Sequence, residues 1–305
     1  MSLYPVPQDL QTEVAFRLPD NFRRPMRCSW ADFNKAGQEV DCFLEGPSFD
    51  HDGNLYLVDI PFGRIFKVTP KGKWSVIAEY DGWPNGLKLH RDGTIWIADY
   101  KNGILRLDPR SGMMDTIVGT YHSEGLKGCN DLVFASNGDL YFTDQGQTGL
   151  HDPTGRVFRL AVNGRLDCLI DTVPSPNGIV LNKAETQLFV GVTRANGVWR
   201  LPLHAGGGTS KVGLFIQLSG GTGPDGLAMG SEDEMLVCHV GLGSVWVFNR
   251  LGEPMYRIRS CEGLLTTNVA FGPDGKTVYI VESDSGCILK ATLPLAGQTM
   301  FGLSQ

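Results

Sequence analysis

The chain repeats a short pattern six times, and this repeat restricts its fold more than any other feature. Each copy has a polar residue, an apolar run, a turn with Gly, Asp or Asn, and a second β-rich run, as in PNGLKLHRDGTIWIADY. The leading polar residues follow one another at intervals of 40, 45, 47, 48 and 43 residues, and they are Glu45, Asn85, Asn130, Asn177, Asp225 and Asn268. Units of this length are typical of propeller blades with four antiparallel strands.

The strands inside each unit follow from the same pattern. The first unit predicts strands over GPSFD, LYLVDI, RIFKVT and WSVIAEY, and the third predicts them over DLVFA, LYFTD, RVFRLAV and LDCLIDT. Turns such as HDGN, RDGT and SNGD join them as hairpins. The connections are too short for crossover helices and no 3.6-residue apolar period is sustained, which excludes a βαβ fold. We therefore predict an all-β, six-bladed β-propeller of four-stranded antiparallel blades.

The blades account for the whole chain as one domain, residues 1–305. They start near residues 45, 85, 130, 177, 225 and 268, and the sixth unit ends near Leu293 without a fourth strand. We expect the N-terminal segment, residues 1–44, to complete that blade and close the ring. The strand would come from TEVAFRL or from EVDCFL.

Charge, hydropathy and cysteine usage limit the partners and the compartment. The formal net charge of -6 argues against nucleic acid, whose binders normally present a basic face. No apolar run approaches the roughly 20 residues of a membrane span, so no membrane partner is expected. The segment MSLYPVPQDLQTEVAF lacks a signal-peptide pattern, and the seven cysteines form no CxxC pair. We expect a cytoplasmic protein; the oligomeric state cannot be predicted.

Two rings of residues are expected at one mouth of the central channel. The six leading polar residues form the inner ring, and the ends of the second strands form an outer ring of Asp59, Asp99, Asp144, Arg194, His239 and Glu282. Carboxylate and amide oxygens suit a hard divalent cation, Ca²⁺ first, with Mg²⁺ or Mn²⁺ behind. Asn-Gly and Asp-Gly are also common turn dipeptides, and for Asn85 and Asn268 we favour a turn role.

Five segments carry a resemblance to a known family: LEGPSFD, NDLVFASNGDLYFTD, PNGIVL, GPDGLAM and GLGSVWVFNRLGEP. Over roughly residues 40–293 the chain resembles the gluconolactonase / senescence marker protein / luciferin-regenerating enzyme family, and its bacterial lactonases in particular. The resemblance implies a catalytic divalent cation in the channel, with Ca²⁺ preferred and Mn²⁺, Zn²⁺, Mg²⁺ or Fe²⁺ also compatible. By position, it implies the ligands Glu45, Asn130, Asn177 and Asp225.

The resemblance also implies a reaction, the hydrolysis of a lactone (a cyclic ester). The cation would polarise the carbonyl group, and Asp225 would act as general base or, less favoured, as nucleophile. In the competing route, the attacking water is activated by the cation, as metal-bound hydroxide, rather than by Asp225. Further candidates for supporting the ligands or contacting the substrate are Asp131, Asn85, His239, His122 and Tyr121.

The chain departs from the sugar-lactone members of the family at one position. Those members often carry Arg two residues before the Asn of the ND motif, whereas this chain has Gly128 there. The apolar residues near the expected mouth are Phe62, Trp83, Tyr100, Tyr121 and Leu242. Together these features predict a less polar substrate than a sugar lactone.

Other functions stay open at this point. A metal-dependent phosphotriesterase of the same propeller type would use the same ligands on a different acceptor. A non-enzymatic binding platform would not need two acids and matched amides in its channel. A metal-free propeller similar to strictosidine synthase resembles these ligand motifs less.

Overall fold

The N-terminal segment contributes two strands and the single α-helix of the described chain. The computed structural model describes residues 6–304. Its first elements are β1 (Gln8–Gln11), β2 (Glu13–Arg17) and the helix α1 (Ser29–Asn34). Residues 6–304 also contain four short 3-10 turns, at Asp20–Phe22 between β2 and α1, and at Ile60–Phe62, Thr193–Ala195 and Phe301–Leu303.

The first three repeat units each form one four-stranded antiparallel sheet. Blade one contains β3 (Leu44–Phe49), β4 (Leu55–Asp59), β5 (Arg64–Val68) and β6 (Trp74–Glu79). Blade two contains β7 (Pro84–Leu89), β8 (Ile95–Asp99), β9 (Gly103–Leu107) and β10 (Met114–Val118). A small hairpin follows, with β11 (Thr120–Tyr121) and β12 (Glu124–Gly125). Blade three contains β13 (Cys129–Phe134), β14 (Leu140–Asp144), β15 (Gly155–Leu160) and β16 (Leu166–Val173).

The last three units repeat this arrangement. Blade four contains β17 (Pro176–Leu181), β18 (Gln187–Val192), β19 (Gly197–Pro202) and β20 (Gly213–Gln217). Blade five contains β21 (Gly223–Met229), β22 (Met235–Val240), β23 (Ser244–Phe248) and β24 (Pro254–Arg259). Blade six contains β25 (Thr266–Phe271), β26 (Thr277–Glu282) and β27 (Cys287–Thr292). The predicted six-bladed propeller is therefore confirmed.

The six blades close into a ring through their first strands. β3, β7, β13, β17, β21 and β25 each contact the first strand of both neighbouring blades, and β25 contacts β3. The apolar core is divided accordingly into six clusters, one at each interface between adjacent sheets. Because the sheets pack face to face with their neighbours, the axis of the ring is left to the inner strands and their polar residues.

The N-terminal strands complete two blades rather than one. β2 pairs antiparallel with β27 and forms the missing fourth strand of blade six, as predicted for TEVAFRL. β1 pairs parallel with β24 and adds a fifth strand to blade five. The alternative strand EVDCFL does not serve this role, because its last residue, Leu44, already begins blade one. The first and last parts of the ring are therefore held together by backbone pairing on two sheets.

Thr12 joins these two N-terminal strands and is buried between the blades. Its backbone N–H and its hydroxyl both donate to the carbonyl of Arg259, each at 3.0 Å. The same hydroxyl accepts a hydrogen bond from the backbone N–H of Cys261 at 2.9 Å. The side chain thus fixes the crossing from blade five to blade six.

The far end of the channel is covered by C-terminal residues. A cavity of about 110 Å³ there is lined by the far ends of the inner strands and by residues 298–302. Phe301 stacks on Phe134 with ring centroids 4.9 Å apart, and the guanidinium of Arg91 lies over its ring. The opposite end of the channel therefore remains the open one.

No helix in the described part of the chain is long and apolar enough to cross a membrane.

We expect Thr12→Val to lower the free energy of unfolding by about 1–2 kcal/mol, since it keeps the shape but removes two hydrogen bonds from a buried crossing. Urea unfolding followed by tryptophan fluorescence measures the change. Thr116→Val, at an exposed position on the outer strand β10, is the control and should change stability by less than about 0.5 kcal/mol. Equal, small effects for both variants would contradict the role given to Thr12.

Candidate active site

The inner-ring residues meet at one cavity at the open end of the channel. The cavity has a volume of about 300 Å³, and five of the six inner-ring residues line it: Glu45, Asn85, Asn130, Asn177 and Asp225. The sixth, Asn268, does not line the cavity but donates from Nδ2 to Oε2 of Glu45 at 2.8 Å. The repeat therefore brings its polar residues together.

Every inner strand has an irregularity at its polar residue. The pairing register shifts between Glu45 and Ser48, Pro84 and Gly86, Cys129 and Leu132, Pro176 and Ile179, Pro224 and Leu227, and Thr266 and Asn268. A β-bulge re-aims the side chain at which it occurs and bends the strand. Asn85 and Asn268 lie inside β7 and β25, so the turn role that we favoured for them is wrong.

The glycine after the polar residue makes room for the next blade. A Cβ on Gly178 would lie 2.3 Å from the carbonyl oxygen of Asp225, and one on Gly226 would lie 2.3 Å from the Asn268 side chain. Gly46 and Gly86 approach blades two and three in the same way. The dipeptides Glu-Gly, Asn-Gly and Asp-Gly thus mark close strand contact at the axis rather than hairpin turns.

Glu45 is held in place through one carboxylate oxygen. Its Oε2 accepts hydrogen bonds from the backbone N–H of Gly46 at 2.7 Å and from Asn268 at 2.8 Å. The residue is only 3% exposed, although it lines the cavity. Asn268, which sequence reasoning assigned to a turn, instead orients the Glu45 carboxylate.

A chain of side-chain hydrogen bonds orients Asn130. Its Nδ2 donates to Oε1 of Gln145 at 2.9 Å, and Nε2 of Gln145 donates to the hydroxyl of Ser175 at 2.9 Å. This assignment uses the amide nitrogen of Asn130 and leaves its Oδ1 available to a ligand. Gln145 was missed from the sequence because it stands one position after the outer-ring residue of its blade.

Two threonines fix the backbone around Asn177 and Asp225. The hydroxyl of Thr143 donates to the carbonyl of Asn177, and that of Thr193 donates to the carbonyl of Pro224, both at 2.8 Å. The first bond starts from the second strand of blade three and the second from the turn that follows the second strand of blade four, and each ends on the first strand of the next blade. The candidate ligands therefore sit on backbone held from both sides.

The acids in the channel repel one another and are poorly solvated. Burial raises the pKa of Glu45, and the charge of Asp131 adds to this effect. The pKa of Asp225 is raised well above its usual range, first by burial and then by the negative charges of Glu45 and Asp131. These carboxylates are destabilised as anions, so a bound cation would favour their charged forms.

One of the three acids already has a cationic partner within the channel. Asp131 is 2% exposed, and its Oδ1 lies 3.6 Å from Nζ of Lys88. Lys88 also lines the cavity at the far end of the channel. Asp131 is therefore neutralised from the closed side, whereas the open side presents Glu45 and Asp225.

The donor set fits a hard divalent cation. Glu45, Asp225, Asn130 and Asn177 offer carboxylate and amide oxygens at one cavity, which is the chemistry that Ca²⁺ and Mg²⁺ prefer. Among residues 6–304, no group of three or more His, Cys, Asp and Glu side chains could hold a metal ion. A site here would therefore depend on the two amides as well as the two acids.

The outer ring has a structural role at most of its positions, which corrects our expectation for it. Asp59, Asp99, Asp144 and Glu282 are fully buried and accept hydrogen bonds from backbone N–H groups near their own blades. The N–H groups of Phe43 and Gly128, for example, each donate at 2.8 Å. Of the outer ring, only Arg194 lines the cavity.

The histidine and tyrosine candidates lie away from the cavity lining. Both ring nitrogens of His239 are engaged within the blade: Nε2 lies 2.9 Å from the carbonyl of Gly220, and Nδ1 accepts from the Trp246 indole at 3.2 Å. Burial lowers the pKa of His239. His122 is exposed at the tip of the small hairpin and packs edge-on against Tyr121. The cavity lining includes none of the three.

One wall of the cavity is aromatic and apolar. Of the residues proposed for the rim, Trp83 and Tyr100 line it, while Phe62 and Leu242 do not. Trp30, Phe43 and Ile60 also contribute and were missed. Trp30 and Phe43 lie on α1 and the segment after it, outside the repeat, and Ile60 directly follows β4. The Trp30 and Phe43 rings are 4.8 Å apart, and those of Trp83 and Tyr100 are 5.7 Å apart.

Tyr100 explains the glycine at residue 128. A Cβ on Gly128 would lie 2.5 Å from the Tyr100 ring, and the backbone φ of +147° also disfavours a side chain. The Tyr100 hydroxyl accepts a hydrogen bond from Nε2 of Gln147 at 3.1 Å. An aromatic ring thus occupies the space in which a side chain at residue 128 would lie.

Comparisons with known proteins agree with the resemblance in the sequence. The family described as the SMP-30/Gluconolactonase/LRE-like region matches residues 43–284. Lactonase drp35 of Staphylococcus aureus (strain MW2) is 32% identical over 272 residues, covering 84% of this chain and 82% of its own.

Solved structures match over nearly the whole chain. Regucalcin from Agrobacterium tumefaciens, described as a calcium-binding protein, has a TM-score of 0.78 at 21% identity and covers 98% of this chain and 100% of its own. A gluconolactonase from Xanthomonas campestris has a TM-score of 0.74 at 20% identity, with coverage of 93% and 98%. At these identities the two structures demonstrate the shared fold.

We expect Gly178→Ala to lower the free energy of unfolding by about 2–3 kcal/mol, because its methyl group would collide with the backbone carbonyl of Asp225. Gly213→Ala is the matched control, since a Cβ there meets nothing within 4 Å. Urea unfolding measures both. Similar stability of the two variants would contradict the close contact between blades four and five.

Proposed function

The chain belongs to the SMP-30/Gluconolactonase/LRE-like family, and from this we propose that it is a metal-dependent lactonase. It would hydrolyse a cyclic ester at the floor of the central cavity and release a hydroxy acid. The lactonase relative supports the reaction class, since it covers most of both chains at 32% identity. The observation that carries the proposal for this chain is the convergence of two acids and two amides on one cavity.

Glu45, Asn130, Asn177 and Asp225 would hold one divalent cation. When bound, the cation supplies Lewis-acid polarisation of the ester carbonyl. Ca²⁺ is the first candidate, because all four ligands offer oxygen and a neighbour in fold, regucalcin, is described as calcium-binding. Mn²⁺, Mg²⁺, Zn²⁺ and Fe²⁺ are the alternatives for a loading experiment.

The protein's own groups divide the remaining tasks. Asp225 is partly exposed to the cavity, and its carboxylate takes a proton from the attacking water as general base. Water adds to the carbonyl carbon, the ring C–O bond breaks, and the proton is returned to the leaving ring oxygen, which becomes the hydroxyl group. Asn268 holds the Glu45 carboxylate, and Gln145 holds the Asn130 amide, during this sequence.

The cavity favours a lactone that is less polar than a sugar. Tyr100 packs over Gly128, and Trp83 and Phe43 extend the apolar surface towards α1. Where its hydroxyl groups met these rings, a sugar lactone would lose hydrogen bonds to water, which costs free energy. An alkyl or aryl substituent would be stabilised at the same place.

The test strips the protein with a chelator and restores each metal in turn during assays on a panel of lactones. We expect ring opening to disappear on stripping and to return best with Ca²⁺. In calorimetry, Glu45→Gln should weaken Ca²⁺ binding by about 10–100-fold. Asp225→Asn should lower kcat by about 10²–10⁴-fold, as expected for loss of a general base.

Glu124→Gln, an exposed acid in the small hairpin, serves as the charge-matched control and should behave as wild type. Unchanged Ca²⁺ affinity in both Glu45→Gln and Asp225→Asn would show that the metal is not held at this cavity. Equal turnover by stripped and loaded protein would show that the reaction does not need a metal.

A further inference from the structure

We infer that the cavity recognises a lactone with an apolar body and a carboxylate substituent, and that Arg194 binds this carboxylate. The inference deepens the proposed lactonase function and rests on it. It follows from the unequal distribution of apolar and cationic groups around the open end of the channel.

The apolar side of the cavity lies on blades one and two and on the segment around α1. Trp30, Phe43, Ile60, Trp83 and Tyr100 form it, and packing between their rings holds them in place. Lys35 covers the Phe43 ring from 4.8 Å and pairs with Asp284 at 2.9 Å, so its charge is already neutralised. This side of the cavity therefore offers a ligand apolar contact area rather than a charge.

Arg194 lies on the other side of the ring. It belongs to the 3-10 turn Thr193–Ala195, which joins the second and third strands of blade four. In a closed ring of six blades, blade four stands opposite blade one, so Arg194 faces the apolar side across the cavity. A hydrogen bond from the hydroxyl of the adjacent Thr193 to the carbonyl of Pro224 holds this turn to the start of blade five.

The guanidinium of Arg194 has no ion-pair partner within residues 6–304. Its side chain is exposed and lines the cavity, whereas many of the other arginines in this part of the chain pair with an acid, as Arg156 does with Asp144. Its charge offsets part of the rise in the pKa of Asp225, which burial causes first, but no carboxylate lies within salt-bridge distance. It is thus a cation in the cavity lining that remains available for an anionic ligand.

A carboxylate is the anion that fits this position best. The planar guanidinium binds a carboxylate through two parallel hydrogen bonds, and such charge-assisted bonds are stronger than neutral ones. Arg194 comes from the outer ring, while the acids that would act on the ester come from the inner ring. The group bound by Arg194 is therefore a substituent of the substrate rather than the carboxylate that ring opening creates.

The test uses γ-lactones whose alkyl side chain ends either in a carboxylate or in the isosteric primary amide, over a short series of chain lengths. We expect the loaded wild-type protein to prefer the acid over the amide by at least about tenfold in kcat/KM at its best chain length. The difference between the acid and the amide should lie in KM, and it should become smaller as the salt concentration is raised. In Arg194→Met the acid-to-amide ratio should fall to about one.

Arg200→Met is the matched control, because it removes the same charge from the same blade at an exposed side chain stacked on Phe215. Its acid-to-amide ratio should remain that of wild type. A wild-type ratio near one, or the same ratio in wild type and Arg194→Met, would overturn the inference.

Binding of the corresponding γ-lactams, whose amide bond is far more resistant to hydrolysis than an ester bond, separates this inference from the proposed function. Calorimetry on loaded protein should give tighter binding of the acid lactam than of the amide lactam in wild type, and equal binding in Arg194→Met. If no lactone is opened but this binding difference is present, the lactonase proposal fails and the role of Arg194 stands. If lactones are opened but the difference is absent, the role of Arg194 fails alone.

Discussion

The close approach of six inner strands around one axis is the constraint on which the rest of this structure depends. Each inner strand contacts two others, and in four blades a glycine permits this contact because a Cβ would meet the next blade at 2.8 Å or less. Each of these strands is also irregular at its polar residue. The ring thus cannot close without gathering its acids and amides in the channel.

Gathering acids in a channel creates an electrostatic cost that the protein relieves only in part. Lys88 lies 3.6 Å from Asp131, and hydrogen bonds from Gly46 and Asn268 support Glu45. The raised pKa values of Glu45 and Asp225 reflect the charge that is left. A divalent cation bound between them would remove this destabilisation, so the candidate function and the raised pKa values have the same physical origin.

Much of the fold and part of the site could be predicted from the sequence. Blade number, strand positions and the inner ring all follow from one period, and the closing strand follows from the incomplete sixth unit. The role of Asn268 could not be predicted. The equivalent residues of other blades stand in Asn-Gly and Asp-Gly dipeptides, which resemble turns, and this favoured a turn for Asn268 as well. The expectation that the outer-ring acids face the channel mouth was wrong for another reason. The end of a strand predicts where a residue lies, but not whether its carboxylate accepts hydrogen bonds from nearby backbone N–H groups, as that of Asp144 does.

Features outside the repeat were the least predictable. The helix α1 places Trp30 beside the cavity, and no period relates it to the blades. Gln145 supports Asn130 from the position directly after the end of β14, a role that spacing alone does not reveal. The parallel pairing of β1 with blade five likewise depends on how far the N-terminal segment can reach once the ring is closed.

The most direct test of the account is a crystal structure of the protein loaded with Mn²⁺ in place of Ca²⁺, with the ion located by its anomalous scattering. We predict one anomalous peak at the open end of the channel, about 2.0–2.6 Å from oxygens of Glu45, Asn130, Asn177 and Asp225. A channel without such a peak at saturating Mn²⁺, or a peak held by other residues, would contradict it.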